Sequence, residues 1–207
     1  SSMPSPKRIL DTYIKPYPVE YHAQSAVDAA RAIRQEYGKA IEPDDVESIT
    51  IDTFKAAYDI IVKDPEKWDP KTKETADHSL MWVTAVALLY GTVELYHYRP
   101  ENIRDPRVLS LIRKMKVNVD PELDKLYPSA IPNRITVKFR DGRELTARVD
   151  HPRGHPKNPM TDEEVEDKFR RLTDGLLTPG QVNTVINLVR NLENLKDVKQ
   201  ILKAIII

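Results

Sequence analysis

The sequence predicts an α+β fold, a small sheet carrying a β-hairpin packed against helices, and three observations predict it. The first is the hairpin. Ile135, Val137 and Phe139 alternate with polar residues, Asp141-Gly142 follows, and Leu145, Ala147 and Val149 alternate back. A period of two on either side of an Asp-Gly step marks two antiparallel strands about a tight turn, here expected as type I′. The second is the run Leu80 to Tyr90, apolar nearly all round and stopped by Gly91, which predicts a buried helix. The third is residues 25–37, where Ala26, Val27, Ala30, Ile33 and Tyr37 recur at helical spacing and Gly38 is a natural stop.

The remaining elements follow in chain order. Residues 46–53 alternate as a strand whose apolar face carries Ile49 and Ile51, with Val46 on the other face. Residues 54–62 predict a helix with Ala56, Ala57, Ile60 and Ile61 on its stripe, and 64–75 a polar loop. Thr75, Asp77 and Ser79 are all good N-cap types for the helix at Leu80, which places His78 in its first turn. Asp105-Pro106 opens a helix reaching to Met115, 116–119 is a short strand, and 121–132 is turn-like. After the hairpin, 151–160 holds three prolines, Gly154, two histidines, Arg153 and Lys157 without periodicity. Such a loop is either a rigid connector or an anion-binding loop at the mouth of a site. Thr161 and Glu164 form a capping box for a helix over 162–172. Two more helices are expected over 179–191 and 197–206, with apolar stripes at Val182, Val185, Ile186 and Val189, then Val198, Ile201, Leu202, Ile205 and Ile206. The domain organisation expected is a tag and linker over 1–14 (Ser1-Ser2 before Met3 being a tag remnant), an α+β domain over 15–172, and C-terminal helices over 173–207.

Composition narrows the function. The 207 residues can bury a real core. With 32 basic and 32 acidic residues there is no surplus of positive charge to argue for nucleic acid. No run approaches the ~20 apolar residues that cross a bilayer. No signal peptide is visible, so a cytoplasmic location is expected. The absence of cysteine excludes disulfides and a thiolate-held iron–sulfur cluster. His151 and His155 are four apart, but the prolines around them forbid a helix, so no two-histidine metal pair is expected. The six glycines are scattered, with neither a dinucleotide fingerprint nor a phosphate loop. No serine sits in a nucleophile elbow.

The chemistry concentrates in residues 15–24, Lys-Pro-Tyr-Pro-Val-Glu-Tyr-His-Ala-Gln. Pro16 and Pro18 hold the residues before them out of the α region. An extended run would put Glu20, His22 and Gln24 on one face, delivered at a helix N-terminus that favours an anion. A polar helix start with a capping residue accounts for the same row. His78 has the same two readings, a capping or core residue or a catalyst.

Tyr-Pro-Val-Glu-Tyr-His-Ala-Gln-Ser-Ala-Val-Asp-Ala-Ala (17–30) resembles the corresponding segment of the MmgE/PrpD family, in particular its 2-methylcitrate dehydratases. Glu74-Thr75-Ala76-Asp77-His78-Ser79-Leu80-Met81 resembles that family's Thr-Ala-Asp-His-Ser-Leu signature. Pro132-Asn133-Arg134, Asp141-Gly142-Arg143 and Gly154-His155-Pro156 follow in the family's order. The likeness covers about 12–172 well and the last helices loosely. It implies the C-terminal (lid) domain of such an enzyme, with the family's N-terminal helical domain absent from this sequence. The closing helices would belong with that missing domain, and their apolar stripes would lack most of their partner.

The activity implied is a cofactor-independent hydro-lyase, dehydrating 2-methylcitrate to 2-methyl-cis-aconitate in propionate breakdown. That chemistry asks for a base, an acid for the leaving hydroxyl, and cations and amides for three carboxylates. The residues singled out for catalysis are Glu20, His22 and His78. Those singled out for the small tricarboxylate substrate are Lys15, Gln24, Ser79, Arg153, His155 and Lys157. The resemblance also implies a site shared with the helical domain, a homodimer, and no cofactor, nucleic acid or membrane. One departure stands out, since relatives often carry Tyr where this chain has Trp82, and indole cannot supply a phenolic proton. The alternatives are another activity of the family, a decarboxylase or epimerase of a related di- or tricarboxylate, and a non-catalytic α+β binding module.

Overall fold

The computed structural model describes residues 7–206, so the expected tag remnant and Ile207 lie outside the described residues. It is α+β, with a four-stranded mixed sheet and helices. The chain divides into two compact units, one ending at Pro159 and one beginning at Met160.

The first unit opens with a short 3-10 turn, then the proline segment, then α1 (Gln24–Tyr37), which ends at Gly38 with φ 79°. Strand β1 (Val46–Thr53) follows, then α2 (Lys55–Ile61), α3 (Lys73–Asp77), α4 (Leu80–Tyr90), α5 (Pro100–Ile103), α6 (Pro106–Ile112), β2 (Met115–Val119), α7 (Pro121–Asp124), β3 (Asn133–Phe139) and β4 (Glu144–Val149). The sheet order is β2-β1-β3-β4, with β1 and β2 parallel and the other pairs antiparallel. Helix α1 packs on α4, β3 and β4. Helix α4 is buried all round except at its last residue, as its uniformly apolar sequence requires.

The faces of the sheet explain the alternation. Ile49, Ile51, Ile135, Val137 and Phe139 point into the core. On the opposite face Thr50, Thr136 and Thr146 are cross-strand neighbours, as are Asp52, Arg134 and Arg148. Arg134 binds Asp52 at 2.9 Å and Asp120 at 2.7 Å. Val46 is buried with the isoleucines despite its odd place in the alternation. A β-bulge between Val46 and Ser48 shifts the register by one and turns it inward.

Several sequence expectations need correction. The hairpin turn is not a two-residue type I′, which needs positive φ at both central residues. Gly142 N–H bonds the Phe139 carbonyl at 3.1 Å and Phe139 N–H bonds the Arg143 carbonyl at 2.8 Å. The loop therefore has three residues, and Gly142 alone carries positive φ. The polar stretch 64–75 holds a 3-10 turn at Pro65–Trp68 and the start of α3. Of the three cap types expected before Leu80, Ser79 caps α4, while Thr75 and Asp77 lie inside α3, whose own cap is Thr72. Phe54 is an extended, fully buried N-cap residue outside α2, and Ile60 is exposed, so the stripe of α2 is Ala57 and Ile61.

The second unit comprises α8 (Asp162–Thr173), α9 (Pro179–Arg190) and α10 (Lys199–Ala204). Thr161 with Glu164, and Thr178 with Gln181, form capping boxes. Gln181 also donates to the Ile206 carbonyl at 2.9 Å, tying α9 to the end of the chain. Val182, Val185 and Ile186 are buried, while Val189, Val198, Leu202 and Ile206 are exposed. Among the described residues no helix is long and apolar enough to cross a membrane.

Candidate active site

The proline segment is held from both sides. Tyr17 is buried and its hydroxyl donates to Asp28 at 2.7 Å while accepting from Arg31 at 2.6 Å. The Gln24 amide donates to the carbonyls of Tyr17 at 2.9 Å and Val19 at 3.1 Å. The expected row of Glu20, His22 and Gln24 on one face does not form. Glu20 accepts the His22 N–H at 2.7 Å and so caps a 3-10 turn over Tyr21–Ala23 that runs into α1. A three-residue turn replaces the two-residue period, and Gln24 points back under the segment.

Glu20 N–H bonds the Asp77 carbonyl at 2.9 Å, which brings the two quoted sequence signatures together. A cleft of about 400 Å³ opens at this junction, lined among others by Lys15, Glu20, Tyr21, Lys73, Asp77 and His78. Lys15 donates to the Val19 carbonyl at 3.0 Å. His78 is half-exposed and sits beside the Asp77 carboxylate. It closes α3 and precedes Ser79, the N-cap of α4, so it is not in the first turn of α4.

His22 stands behind Glu20. Its Nδ1 is 2.9 Å from Glu20 Oε1, and its ring packs beside the stacked pair Phe54 and Tyr127, at centroid distances of 5.3 and 5.7 Å. An ionised carboxylate only accepts, so Nδ1 carries the proton. Nε2 is buried with no hydrogen-bond partner among the described residues. Burial pushes the Glu20 carboxyl up. The hydrogen bonds from the His22 ring and backbone and the charges of His22 and His78 outweigh it and hold the group below its ordinary value.

Ser79 is fully buried and committed to capping, accepting the Trp82 N–H at 3.1 Å and donating to the Lys67 carbonyl. Trp82 faces the core, its indole donating to the Ile103 carbonyl at 3.0 Å and its ring stacked 4.9 Å from Tyr98. Tyr98 in turn donates to the Pro18 carbonyl at 2.8 Å, so Trp82 supports the proline segment from beneath.

The 151–158 loop is tightly bonded to itself. Gly154 and Asn158 bond at 2.9 Å, Asn158 and the His155 carbonyl at 2.8 Å, and Lys157 N–H bonds His155 Nδ1 at 2.9 Å. Arg153 joins Asn158 at 2.9 Å, and its backbone N–H bonds Asp28 at 2.7 Å. Burial, helped by the charges of His151 and Lys157, pushes His155 below the ordinary histidine value. Arg153 and His155 face a separate small cavity that Lys15 and Tyr21 also line. Lys157 is exposed.

The structure thus brings Lys15, Glu20 and His78 onto one cleft with His22 behind. It commits Gln24 and Ser79 to backbone bonds and puts Arg153 and His155 on the far side of Tyr21. Sequence reasoning missed Tyr21 and Lys73 as cleft residues, and took Asp77 only as a cap type. Asp77 lay within a quoted signature, whereas Lys73 lies in a polar stretch with no local signal. Asn133, in another quoted motif, donates to the His22 carbonyl at 2.9 Å and Ser25 Oγ at 2.8 Å, anchoring the start of α1 to the hairpin. Among the described residues no group of three or more His, Asp or Glu is placed to hold a metal ion.

The chain is 28% identical over 195 residues to a cis-aconitate decarboxylase of Mus musculus, covering 90% of this chain and 38% of that protein. It is 33% identical over 149 residues to a 2-methylcitrate dehydratase of Salmonella typhimurium, covering 68% and 30%. It is 30% identical over 177 residues to a mitochondrial 2-methylcitrate dehydratase of Yarrowia lipolytica, covering 82% and 34%. The chain therefore spans about a third of the length of these relatives. The family model of the MmgE/PrpD C-terminal domain matches residues 17–194, and the chain belongs to that family.

Proposed function

We propose that this chain forms one wall of the active site of a cofactor-independent lyase that dehydrates 2-methylcitrate to 2-methyl-cis-aconitate, the opposite wall coming from a helical domain. The observation that carries the reading is the convergence of Glu20, Asp77, His78, Lys15 and Lys73 on one cleft. Glu20 is the base that takes the proton α to a carboxylate, since it reaches the cleft and is held ionised. His22 is a positioning residue that acts through Glu20. Lys15 and Lys73 supply positive charge, and His78 a hydrogen-bonding ring, for substrate carboxylates. Decarboxylation of cis-aconitate is the second reading, favoured by the decarboxylase likeness spanning 90% of this chain against 68% for the Salmonella dehydratase.

The test uses the complete enzyme, helical domain included, supplied separately with 2-methylcitrate and cis-aconitate. The proposal expects the conjugated double bond to appear with the first and little CO₂ release from the second. The reverse pattern makes the protein a decarboxylase, and no turnover of either leaves a binding module. His22→Ala should lower kcat/KM by roughly 10²-fold with little change in Tm. It should also move the acid limb of the pH profile upward, because Glu20 loses the ring hydrogen bond and the charge of His22 while keeping the backbone N–H bond. An active variant with a lowered Tm and an unmoved profile would make His22 a structural residue.

A further inference from the structure

Elimination of water needs a proton for the departing hydroxyl as well as a base. The cleft offers two lysines, a histidine beside Asp77, and one phenol, that of Tyr21. Tyr21 directly follows Glu20 in the 3-10 turn. Its ring is fixed between two edge-to-face neighbours, His22 at 5.1 Å and Tyr13 at 5.1 Å. Tyr13 is 38% exposed. Tyr21 also lines the small cavity beneath the 151–158 loop, where Tyr13 packs edge-on against His155 at 4.7 Å.

From this arrangement we infer that Tyr21 is the acid that protonates the leaving hydroxyl. The inference rests on the dehydratase reading above. In the step, Glu20 takes the proton from the carbon α to a carboxylate. The C–C double bond forms as the C–O bond breaks. The hydroxyl leaves as water with the phenolic proton. Tyr21 is then reprotonated from solvent, and Glu20 releases its proton to solvent, so the cycle closes with no net proton. Burial first, then the neighbouring Tyr13 phenol and the nearby Glu20 charge, push the Tyr21 phenol above its ordinary value, which keeps it protonated until the hydroxyl departs. His78 is half-exposed and paired with Asp77, a geometry suited to holding a carboxylate.

The experiment compares two substrates in the complete enzyme: 2-methylcitrate, and its analogue with fluorine in place of the leaving hydroxyl. Fluoride departs without a proton, so losing the acid matters less. Tyr21→Phe keeps the ring and its packing. It should lower kcat on 2-methylcitrate by roughly 10²-fold and cost only a few-fold on the fluoro analogue, at unchanged Tm. His78→Gln should slow both substrates alike. Equal losses on the two substrates for Tyr21→Phe, or substrate dependence in His78→Gln instead, overturns the assignment while leaving the dehydratase reading intact. A wild-type enzyme that does not dehydrate 2-methylcitrate overturns both.

Discussion

Gly154→Ala should destabilise the first unit by about 2–4 kcal/mol, and the figure can be built from the contacts. Gly154 has φ 88°, and a Cβ there would lie 1.8 Å from the Ile14 carbonyl oxygen and 3.0 Å from its carbon. The obstacle is backbone, so no side-chain rotation relieves it. The left-handed conformation itself costs a non-glycine residue about 1–2 kcal/mol. Relieving the clash means parting residues 14 and 154, which breaks the Ile14 N–H to Gly154 carbonyl bond of 3.0 Å. That adds about 0.5–1.5 kcal/mol, and residual strain brings the total to the upper part of the range. Gly142→Ala is the control, because Gly142 has φ 89° and nothing within 4 Å of its Cβ position. It should show the conformational cost alone, about 1 kcal/mol. Urea unfolding followed by tryptophan fluorescence reads both, since Trp68 and Trp82 lie in the first unit. Equal losses for the two variants would refute the close approach, and a Gly154→Ala midpoint like the wild type would refute the whole argument.

Trp82→Phe should cost about 2–4 kcal/mol, from an unsatisfied Ile103 carbonyl and the space left beside Tyr98; the same unfolding curve checks it, and a loss below about 1 kcal/mol would show that the indole bond is dispensable. His97→Gln should flatten the fall in stability on mild acidification. Burial depresses the His97 imidazole despite the opposing charges of Glu94 and Asp105. The unfolded chain then binds the extra proton below about pH 6.5, so this contribution is present above that value and is lost as pH falls through the lower folded one. Identical pH slopes for variant and wild type would remove His97 from the acid response.

What was legible in the sequence was whatever depends on near neighbours. The ends of α1 and α4 follow from Gly38 and Gly91, both left-handed in the structure. The hairpin follows from its alternation, but its loop length does not, because Asp-Gly fits a two-residue turn and a three-residue turn with a bulge equally well. Val46 was misplaced because a bulge is fixed by the partner strand, not by the strand that contains it. The stretch 64–75 looked like loop because its helical turns are too short to show a period.

The site was legible as motifs and not as geometry. Glu20 and His78 sit in signatures separated by more than fifty residues, and one bond, Glu20 N–H to the Asp77 carbonyl, places them on the same cleft. No local rule encodes that bond. It exists because Gln24 and Tyr98 hold the proline segment against the start of α4, through carbonyls that the prolines leave exposed for capture. The side chains that hold Glu20 in place are therefore themselves the polar residues a sequence reader would assign to chemistry. Gln24 and Ser79 bond backbone groups in the structure, and the expectation that set them beside Glu20 as substrate ligands has a physical source. A residue that binds a backbone carbonyl or caps a helix needs the same donors and acceptors as one that binds a carboxylate. Burial separates the two. Gln24 and Ser79 are nearly inaccessible, whereas His78 is half-exposed and Glu20 and Lys15 line the cleft. In this family member the polar residues of the signatures split between a scaffold that shapes the segment and a smaller set that faces the cleft.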